Sequence, residues 1–464
     1  MLFIRLVTQF HKLGIKSASN IAHLNKTERL SHLRRMALPK SRENPVIMKL
    51  DTPEFKSLFT EELKSLISLF KEYGYELRMA GGAVRDLLMG MKPKDVDFAT
   101  VATPDQMKEM FTTESIRMIN MKGEKHGTIT PRINDKENFE ITTLRIDVVT
   151  DGRHAEVQYT TDWLLDAFRR DLTINSMFLG VDGTVYDYFF GYEDLQNHRI
   201  TFVGDATTRI REDYLRILRY FRFYGRIAKE SNKHEELTLK SIRDNADGLG
   251  NISGERIWTE LKKILEGNYA GDLMVTIIEC GIAQYIGLPV NPSVEELKTV
   301  WTRSGHLELN AITLLSTLLS TVDDVAKLHT RLKLSAFERD LAFFIIDNRS
   351  PKPHADPLMP YKQLLLKSKT KHSDTRDWIV EVLKYNNFPH LQEFQQWEVP
   401  RFPVTGTLLK QKGIQSGKFM GIVINELKNY WVDRNFDVAV DELLDQIPKI
   451  LEYLDEKKRN KTKS

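Results

Sequence analysis

The segment from Leu77 to Thr100 carries two aspartates whose spacing suits a metal ion. Asp95 and Asp97 are separated by one residue, and alternate side chains of an extended strand project from the same face. Two carboxylates on one face offer hard oxygen ligands to Mg²⁺, which takes its remaining ligands from water and substrate phosphates. The spacing therefore predicts a magnesium site in which Asp95 and Asp97 are the catalytic ligands.

A glycine turn precedes these aspartates. Gly81 and Gly82 stand between the strand-like sequence ELRMA and the helix-like sequence AVRDLLMG. Glycine lets the backbone approach a triphosphate closely, and the N–H groups at the start of a helix attract the anion. The turn and the aspartates together predict nucleotidyl transfer assisted by metal ions.

The residues of this block stand in the order GGxVRD…DxD, formed by Gly81, Gly82, Arg85, Asp86 and the aspartate pair. This order resembles the class II nucleotidyltransferase superfamily, which contains CCA-adding enzymes and bacterial poly(A) polymerases. The resemblance implies a polymerase-β-like α+β head, and it implies nucleotide contacts at Gly81, Gly82 and Arg85.

A pair of arginines opens the sequence RRDLTIN from Arg169 to Asn175, which resembles the RRDFTxNA motif of the same superfamily. Guanidinium groups match phosphate oxygens bidentately, and a triphosphate needs its charge neutralised. The resemblance implies that Arg170 contacts the nucleotide and that Asp171 shapes the sugar pocket.

The sequence REDYLRILRYFR, from Arg211 to Arg222, resembles the EDxxR motif of the superfamily. On one continuous helix, Asp213 and Arg216 would be neighbours three residues apart. Asp213 accepts from an amino group and Arg216 donates to ring and carbonyl acceptors, which is the pattern that cytosine and adenine offer. Guanine and uracil would leave buried groups unpaired. This pair therefore predicts selection of C and A without a nucleic-acid template.

Two more arginines follow on the same predicted helix. Arg219 is expected to bind the nucleotide phosphates. A step of three residues falls short of a full helical turn, so Arg222 should face nearly opposite Asp213. The family pattern nevertheless implies nucleotide contacts at both Arg219 and Arg222.

The sequence FEITTLRID is expected to form a strand beside the one that carries the aspartate pair. Such a strand could add a third acidic group to the metal site. Glu140 and Asp147 are both candidates. An ordinary half-exposed strand carboxylate is an equally good interpretation of either.

Two blocks support the same resemblance but have mainly structural features. The sequence DYFFGYEDL from Asp187 to Leu195 resembles the DxFxGxxDL hinge, and SGERIWTELKKIL from Ser253 to Leu265 resembles the SxERIxxEL motif. In the second block Ser253 is expected to cap a helix that Gly267 ends. Its predicted apolar stripe consists of Ile257, Leu261 and Ile264. We assign neither block any chemistry from the sequence.

The elements that must position these residues change character along the chain. Strand and helix signals alternate from about Lys49 to Val185, whereas nearly all later segments have helical periodicity. With the resemblance, this predicts a transit peptide and linker (1–45), a catalytic head (46–185), a helical neck with the base template (186–270), a helical body (271–400) and a tRNA-binding helical tail (401–464). Prolines at 351, 353, 400 and 403 mark predicted breaks between helices.

Composition limits the class of protein. The chain has 464 residues, a formal net charge of +3 and a single cysteine, Cys280. One cysteine permits no intramolecular disulfide and no zinc site built from cysteines. No apolar run approaches the length of a membrane span, so no membrane partner is expected. Because the charge is nearly balanced, any nucleic-acid surface must be a local patch.

The first residues have the composition of a targeting sequence. Four cations, Arg5, Lys12, Lys16 and Lys26, precede the first acidic residue, Glu28. Basic residues interleaved with apolar ones predict a mitochondrial transit peptide, and the alternatives are a disordered basic tail and an ordinary terminal helix. Initiation at a downstream methionine, Met36 or Met48, would give a cytoplasmic or nuclear form.

Four glycines recur between Gly406 and Trp431, in a pattern that resembles the tail of CCA-adding enzymes. Glycine permits close approach of either an RNA phosphate or a packed helix, and from the spacing we favour helix packing. The neighbouring cations Lys410, Lys412 and Lys418 suit a phosphate backbone.

The resemblance covers most of the chain and is greatest to CCA-adding enzymes of the animal mitochondrial type. It implies addition of C, C and A to the 3′ end of tRNA from CTP and ATP, with two Mg²⁺ ions. A poly(A) polymerase and an inactive RNA-binding module are the alternatives. A homodimer and a monomer both remain open.

Overall fold

The computed structural model describes residues 38–119, 121–150, 155–350 and 353–461. They form two compact units, one ending at Tyr285 and the other beginning at Ile286. In the described ranges every strand belongs to the first unit, and no helix is long and apolar enough to cross a membrane.

A mixed sheet forms the centre of the first unit. Among the described residues its nine strands are β1 (Val46–Lys49), β2 (Leu77–Ala80), β3 (Asp97–Thr100), β4 (Arg117–Ile119), β5 (Thr128–Ile133), β6 (Glu137–Asn138), β7 (Glu140–Thr143), β10 (Phe178–Gly180) and β11 (Thr184–Tyr186). The order is β1-β11-β10-β2-β3-β7-β5-β4, with β6 beside β5. Strands β3 and β7 run parallel, and the other neighbours are antiparallel. Strands β8 (Arg145–Thr150) and β9 (Ala155–Tyr159) form a separate hairpin.

Five helices accompany the sheet: α1 (Pro53–Lys56), α2 (Glu61–Glu72), α3 (Gly82–Leu88), α4 (Pro104–Thr113) and α5 (Trp163–Arg169). Helix α4 begins directly after Thr103, because the Thr103 hydroxyl and the Gln106 side chain form a reciprocal capping box. The helical segment before Gly74 is divided into α1 and α2. Thr60 caps α2 by accepting from the backbone N–H of Leu63, which starts a new helix.

Six helices follow the sheet within the first unit: α6 (Gly191–Gln196), α7 (Ala206–Glu212), α8 (Arg216–Ile227), α9 (Glu236–Arg243), α10 (Gly254–Leu265) and α11 (Ala270–Glu279). The predicted apolar stripe of α10 is confirmed, since Ile257, Leu261 and Ile264 are buried. Ser253 is at its N-cap position, but the side chain makes no capping hydrogen bond.

The second unit is helical, as expected. Its helices are α12 (Val294–Ser304), α13 (Ala311–Ser316), α14 (Val322–Leu332), α15 (Ala336–Asn348), α16 (Met359–Lys367), α17 (His372–Tyr385), α18 (Leu391–Gln396), α19 (Gly406–Gln411), α20 (Lys418–Asp433), α21 (Val440–Asp445) and α22 (Ile447–Lys461). The predicted break at prolines 400 and 403 is confirmed, because it falls between α18 and α19. The break predicted at residues 350–353 includes two residues outside the described ranges.

Three of the four tail glycines do not pack closely against another helix, contrary to the prediction. A Cβ atom at Gly413, Gly417 or Gly421 would meet no atom within 4 Å, so helix packing is the wrong explanation for these three. Gly413 and Gly417 have positive φ values of 85° and 129°, which explains glycine there by the turn itself. Gly421 lies inside α20, where neither close packing nor a positive φ value explains the glycine.

The predicted transit peptide lies largely outside the described residues, which begin at residue 38. The last residues of the predicted transit peptide and linker, from position 38 on, pack on the first unit. The backbone N–H of Arg42 donates to the carbonyl of Tyr188 at 3.0 Å, and Pro45 accepts from the N–H of Asp187 at 2.8 Å. The guanidinium of Arg42 also pairs with the buried carboxylate of Asp187 at 3.6 Å.

Candidate active site

One cavity of about 1030 Å³ in the first unit collects most of the predicted site residues. Its lining includes Gly81, Gly82, Arg85, Asp97, Arg170, Asp171, Asp213, Arg216, Arg219 and Arg222. Asp95 is the predicted residue that is absent from this lining. Segments that are far apart in sequence therefore meet in one place.

The aspartate pair lies at the start of a central strand. Asp97 is the first residue of β3, whereas Asp95 lies in the bend before it, so the extended segment is shorter than predicted. Because β3 and β7 are parallel, Asp97 stands in register with Glu140. Burial by the cavity wall raises the pKa of Asp97, and the nearby carboxylates of Glu140 and Asp95 raise it further, with Arg170 opposing them.

These carboxylates suit a divalent cation. Within the ranges described above, no three acidic, histidine or cysteine side chains form a complete metal site. Mg²⁺ does not need one, because it retains waters and is usually held by one or two carboxylates plus substrate phosphates. A cation would relieve the repulsion that raises the pKa of Asp97. Asp97 and Glu140 are thus the two neighbouring carboxylates of this cavity whose chemistry suits magnesium.

The two candidates for a third carboxylate differ in position. Glu140 faces the cavity from the strand next to Asp97, as the sequence indicated. Asp147 lies on the β8–β9 hairpin, where its carboxylate is 3.6 Å from the Nε atom of Arg145. Asp147 also lines the cavity, but the guanidinium group of Arg145 already lies beside its carboxylate. The geometry therefore favours Glu140 as the partner of Asp97.

The glycine turn lies directly under an arginine. Gly81 has a φ of 64°, and a Cβ atom built there would come within 3.1 Å of the Nη1 atom of Arg170. Arg85, on α3, is buried and donates to Asn175 at 2.5 Å and to Asp86 at 2.8 Å. A ligand can thus approach the backbone of this turn closely, between the guanidinium groups of Arg85 and Arg170.

A buried carboxylate that the sequence analysis overlooked holds the arginine pair. Asp166, on α5, accepts from Arg169 at 2.7 Å and from Arg170 at 3.1 Å, and also from the backbone N–H of Arg145 at 3.1 Å. Burial alone would raise the pKa of Asp166, but Arg169 and Arg170 lower it. Its spacing, three and four residues before the arginines on one helix, is the signal that could have revealed it.

Asp171 joins two elements of the cavity wall. Its carboxylate accepts from Arg219 of α8 at 2.7 Å. Burial alone would raise the pKa of Asp171, but the guanidinium groups of Arg219 and Arg216 lower it. Burial alone would lower the pKa of Arg219. The nearby carboxylates of Asp171, Glu260 and Asp213 raise it above its usual value. Arg219 is therefore a charged group of the cavity wall.

The predicted continuous helix through Asp213 and Arg216 is wrong. Helix α7 ends at Glu212, Asp213 is extended with a φ of −152°, and α8 begins at Arg216. The carboxylate of Asp213 accepts from the backbone N–H of Leu215 at 3.1 Å. This local side-chain hydrogen bond competes with the helical pattern and explains the break.

Asp213 and Arg216 consequently have different partners. Asp213 accepts from Arg256 at 2.9 Å. Arg216 donates to the carboxylate of Glu212 at 2.7 Å and to the carbonyl of Arg169 at 2.9 Å. Both nevertheless line the same cavity, so its wall contains both an acceptor and a forked donor.

The orientation predicted for Arg222 is also wrong. It lines the cavity together with Asp213 because the two belong to separate elements and not to one helix. Its Nε atom lies 2.8 Å from a carboxylate oxygen of Glu260 on α10. Burial lowers the pKa of Arg222, while Glu260 raises it.

The sequence analysis also overlooked Arg226 and Arg256, which line the cavity. Arg226 pairs with Asp86 at 2.9 Å and so joins α8 to α3. Arg256 and Glu260 are four residues apart on α10 and contact Asp213 and Arg222 respectively. That helical spacing was visible in the block to which we assigned no chemistry.

Comparisons with known proteins agree with this architecture. Residues 77–201 match the family model described as the poly A polymerase head domain, and residues 233–290 match the model described as a probable RNA and SrmB-binding site of polymerase A. The chain is 54% identical over 421 residues to mitochondrial CCA tRNA nucleotidyltransferase 1 of Homo sapiens, covering 89% of this chain and 96% of the human protein. The chain belongs to the CCA tRNA nucleotidyltransferase family. The Danio rerio member is 52% identical, with 90% and 97% of the two chains covered.

Solved structures share the fold of this family member. The Bacillus stearothermophilus CCA-adding enzyme in complex with CTP superposes with a TM-score of 0.66 at 24% identity, covering 88% of this chain and 100% of the bacterial chain. The Thermotoga maritima enzyme complexed with tRNA has a TM-score of 0.63 at 19% identity, with 88% and 99% covered. The predicted fold, a polymerase-β-like head followed by a mostly helical remainder, is confirmed.

Proposed function

We propose that this chain adds C, C and A to the 3′ end of tRNA without a nucleic-acid template, using CTP and ATP. The observation that carries this proposal is the common cavity of the Asp97–Glu140 carboxylates and the Asp213–Arg216 pair. A base read by the pair can thus have its triphosphate beside the carboxylates. The relatives named CCA tRNA nucleotidyltransferase agree with this activity.

The carboxylate end would support metal-assisted phosphoryl transfer. Asp97 and Asp95, joined by Glu140, would hold Mg²⁺, which when bound activates the primer hydroxyl and stabilises the leaving pyrophosphate. The hydroxyl oxygen of the tRNA end bonds to the α-phosphorus, and the bond to the departing pyrophosphate breaks. Burial raises the pKa of Asp97 in the free protein, the carboxylates of Glu140 and Asp95 raise it further, and a bound cation would offset their repulsion.

The cationic wall would bind the triphosphate and exclude misplaced substrates. Gly82 lets the backbone approach the phosphates, and Arg85, Arg170 and Arg219 surround the same space. Each of these arginines is anchored by a carboxylate of the protein, so its position is fixed before a nucleotide arrives. Such preorganisation avoids the cost of ordering long side chains on binding.

Base selection would use the complementary hydrogen-bonding groups of Asp213 and Arg216. The carboxylate accepts from the amino group of cytosine or adenine, and the guanidinium donates to their acceptors. Uracil and guanine present a carbonyl where an amino group is required, which leaves the carboxylate facing another acceptor. Discrimination of this kind reaches several orders of magnitude when the groups are buried.

The names of relatives support a tRNA substrate. The helices beyond the cavity, including the predicted tail 401–464, would grip tRNA. The names of close relatives support a mitochondrial location. A form initiated at Met36 would keep every described residue and could serve the cytoplasm or nucleus. Expression of chains starting at Met1 and Met36, followed by cell fractionation, tests this assignment.

A homodimer is the remaining partner prediction. Sedimentation equilibrium of the purified chain, with and without tRNA, distinguishes it from a monomer. A mass twice that of the chain over a range of micromolar concentrations is expected for the dimer. A mass equal to one chain throughout this range would contradict it.

The deciding experiment for the activity uses the purified chain, Mg²⁺ and a tRNA transcript that lacks its last three nucleotides. Each nucleotide is supplied alone, and CTP is then supplied with ATP. We expect two residues to be added from CTP and one more from ATP, with no further growth. A long adenosine ladder from ATP alone would instead indicate a poly(A) polymerase, and no extension would indicate an RNA-binding module.

A further inference from the structure

A side chain outside the predicted base-reading motif reaches the base-reading residues. Arg256 belongs to α10, and its Nη2 atom donates to the Oδ2 atom of Asp213 at 2.9 Å. The exposed fractions of these side chains are 41% and 27%, and both line the cavity. Arg256 is therefore in the same solvent-filled space that a nucleotide base would enter.

Asp213 is restrained from several directions. Its Oδ1 atom accepts from the backbone N–H of Leu215 at 3.1 Å, and its carbonyl accepts from the N–H of Arg216 at 2.9 Å. The next residue, Tyr214, lies against Gly248 so closely that a Cβ atom there would be 2.0 Å from the ring. The turn between α7 and α8 is thus held by contacts on both its backbone and its side chains.

Asp213 and Arg216 would attract each other if they were left without other partners. They carry opposite charges three residues apart, and direct pairing would use up the groups that must recognise a base. The structure gives each a separate partner. Glu212 contacts Arg216 at 2.7 Å, and Arg256 contacts Asp213 at 2.9 Å. These flanking ion pairs keep both groups directed at the cavity.

We propose that Arg256 is a positioning residue for nucleotide selection, which keeps the Asp213 carboxylate apart from Arg216 and oriented to accept from a base. This inference rests on the proposed function and assigns chemistry to a block that the sequence suggested was structural. A carboxylate has room for several hydrogen bonds, so the contact with Arg256 leaves acceptor positions for the amino group of C or A. Loss of Arg256 would let Asp213 rotate toward the neighbouring arginines.

The test compares kcat/KM for CTP, ATP, UTP and GTP in the full-length protein and the variant Arg256→Gln. We expect the preference for CTP over UTP to fall by about 10-fold to 100-fold, in the range that one base contact supplies. Arg256→Lys retains the charge and is expected to restore most of the preference. Lys263→Gln is the matched control, because Lys263 is exposed on the same helix and should leave the preference unchanged.

A merely structural role for Arg256 gives a different result. If Arg256→Gln lowers kcat/KM for all four nucleotides equally, with the CTP-to-UTP ratio unchanged, the proposal is overturned. If this variant does not fold, Glu212→Gln decides, because it releases Arg216 toward Asp213 and should lower the same ratio. A different result would contradict the proposed function itself, namely failure of the unmodified protein to add CCA in the same assay.

Discussion

Asp97 and Glu140 face one cavity from adjacent parallel strands, because β3 and β7 pair with these two residues in register. The register brings together two carboxylates that are 43 positions apart in the chain, and it explains why the pKa of Asp97 is raised first by burial and then by Glu140. Such an arrangement costs free energy without a cation and would be stabilised by one, in line with the proposed magnesium site.

The first prediction concerns this carboxylate pair. Glu140→Gln should lower kcat by about 100-fold or more, because losing a metal ligand removes several kcal/mol of transition-state stabilisation. It should also raise the Mg²⁺ concentration that gives half-maximal activity. Asp147→Asn is the matched control, with an expected decrease below about 10-fold. Equal losses in the two variants would mean that the pairing with Asp97 does not determine the third ligand.

The second prediction concerns the buried anchor of the arginine pair. Asp166→Asn removes the charge that pairs with Arg169 and Arg170 and should lower the free energy of unfolding by about 3 to 5 kcal/mol. Urea denaturation followed by circular dichroism measures this loss. Asp105→Asn provides the comparison, since its pair with Lys108 is at the surface and its carboxylate is 90% exposed. A loss as small as that of Asp105→Asn would show that Asp166 does not anchor the pair.

The third prediction concerns the contact between Gly248 and Tyr214. Gly248→Ala should destabilise the protein by about 1 to 3 kcal/mol, because its methyl group would overlap the tyrosine ring. Tyr214→Ala in the same chain removes the overlap, so the double variant should be more stable than the sum of the two single effects. Melting temperatures of the four proteins measure this coupling. Additive effects would contradict a direct steric conflict.

Local signals in the sequence were sufficient for some features and insufficient for others. The Thr103 cap and the turn at Gly81 depend on neighbouring residues, so the sequence contains all that determines them. The break at Asp213 was not foreseen because a helical repeat of arginines outweighed one side-chain hydrogen bond to Leu215. Periodicity describes a preference, and a single local contact can override it.

Contacts between distant segments were the least accessible to sequence reasoning. The pairing of Glu140 with Asp97 depends on strand order and register, and that of Asp213 with Arg256 depends on how the turn between α7 and α8 meets α10. Neither contact leaves a periodic pattern in the sequence. Asp166 is different, because its spacing before Arg169 was visible and only its burial was hidden.

The fourth prediction concerns pH and the side chain of His234, whose Nδ1 atom lies 3.0 Å from the hydroxyl of Tyr220. Burial lowers its pKa from 6.5 to about 4. The unfolded chain therefore binds a proton before the folded protein does, and stability falls as the pH decreases from about 6.5 toward 4. Between pH 7 and pH 5 the loss should be below about 2 kcal/mol, because partial exposure of the ring weakens the effect.

Substitution of His234 tests this assignment. In His234→Asn the loss of stability between pH 7 and pH 5 should be smaller by that amount, whatever its stability at pH 7. His390→Gln is the matched control at an exposed histidine. An unaltered pH dependence in His234→Asn would assign the acid sensitivity to other groups.

The last prediction concerns Gly421, a glycine inside α20 with no neighbour within 4 Å of an added Cβ atom. Alanine is favoured over glycine within a helix by about 1 kcal/mol, so Gly421→Ala should stabilise the protein by roughly 0.5 to 1 kcal/mol. If the tail approaches tRNA as predicted, the same methyl group should raise KM for tRNA and leave KM for CTP unchanged. Stabilisation with an unchanged KM for tRNA would exclude this face of α20 from the RNA interface.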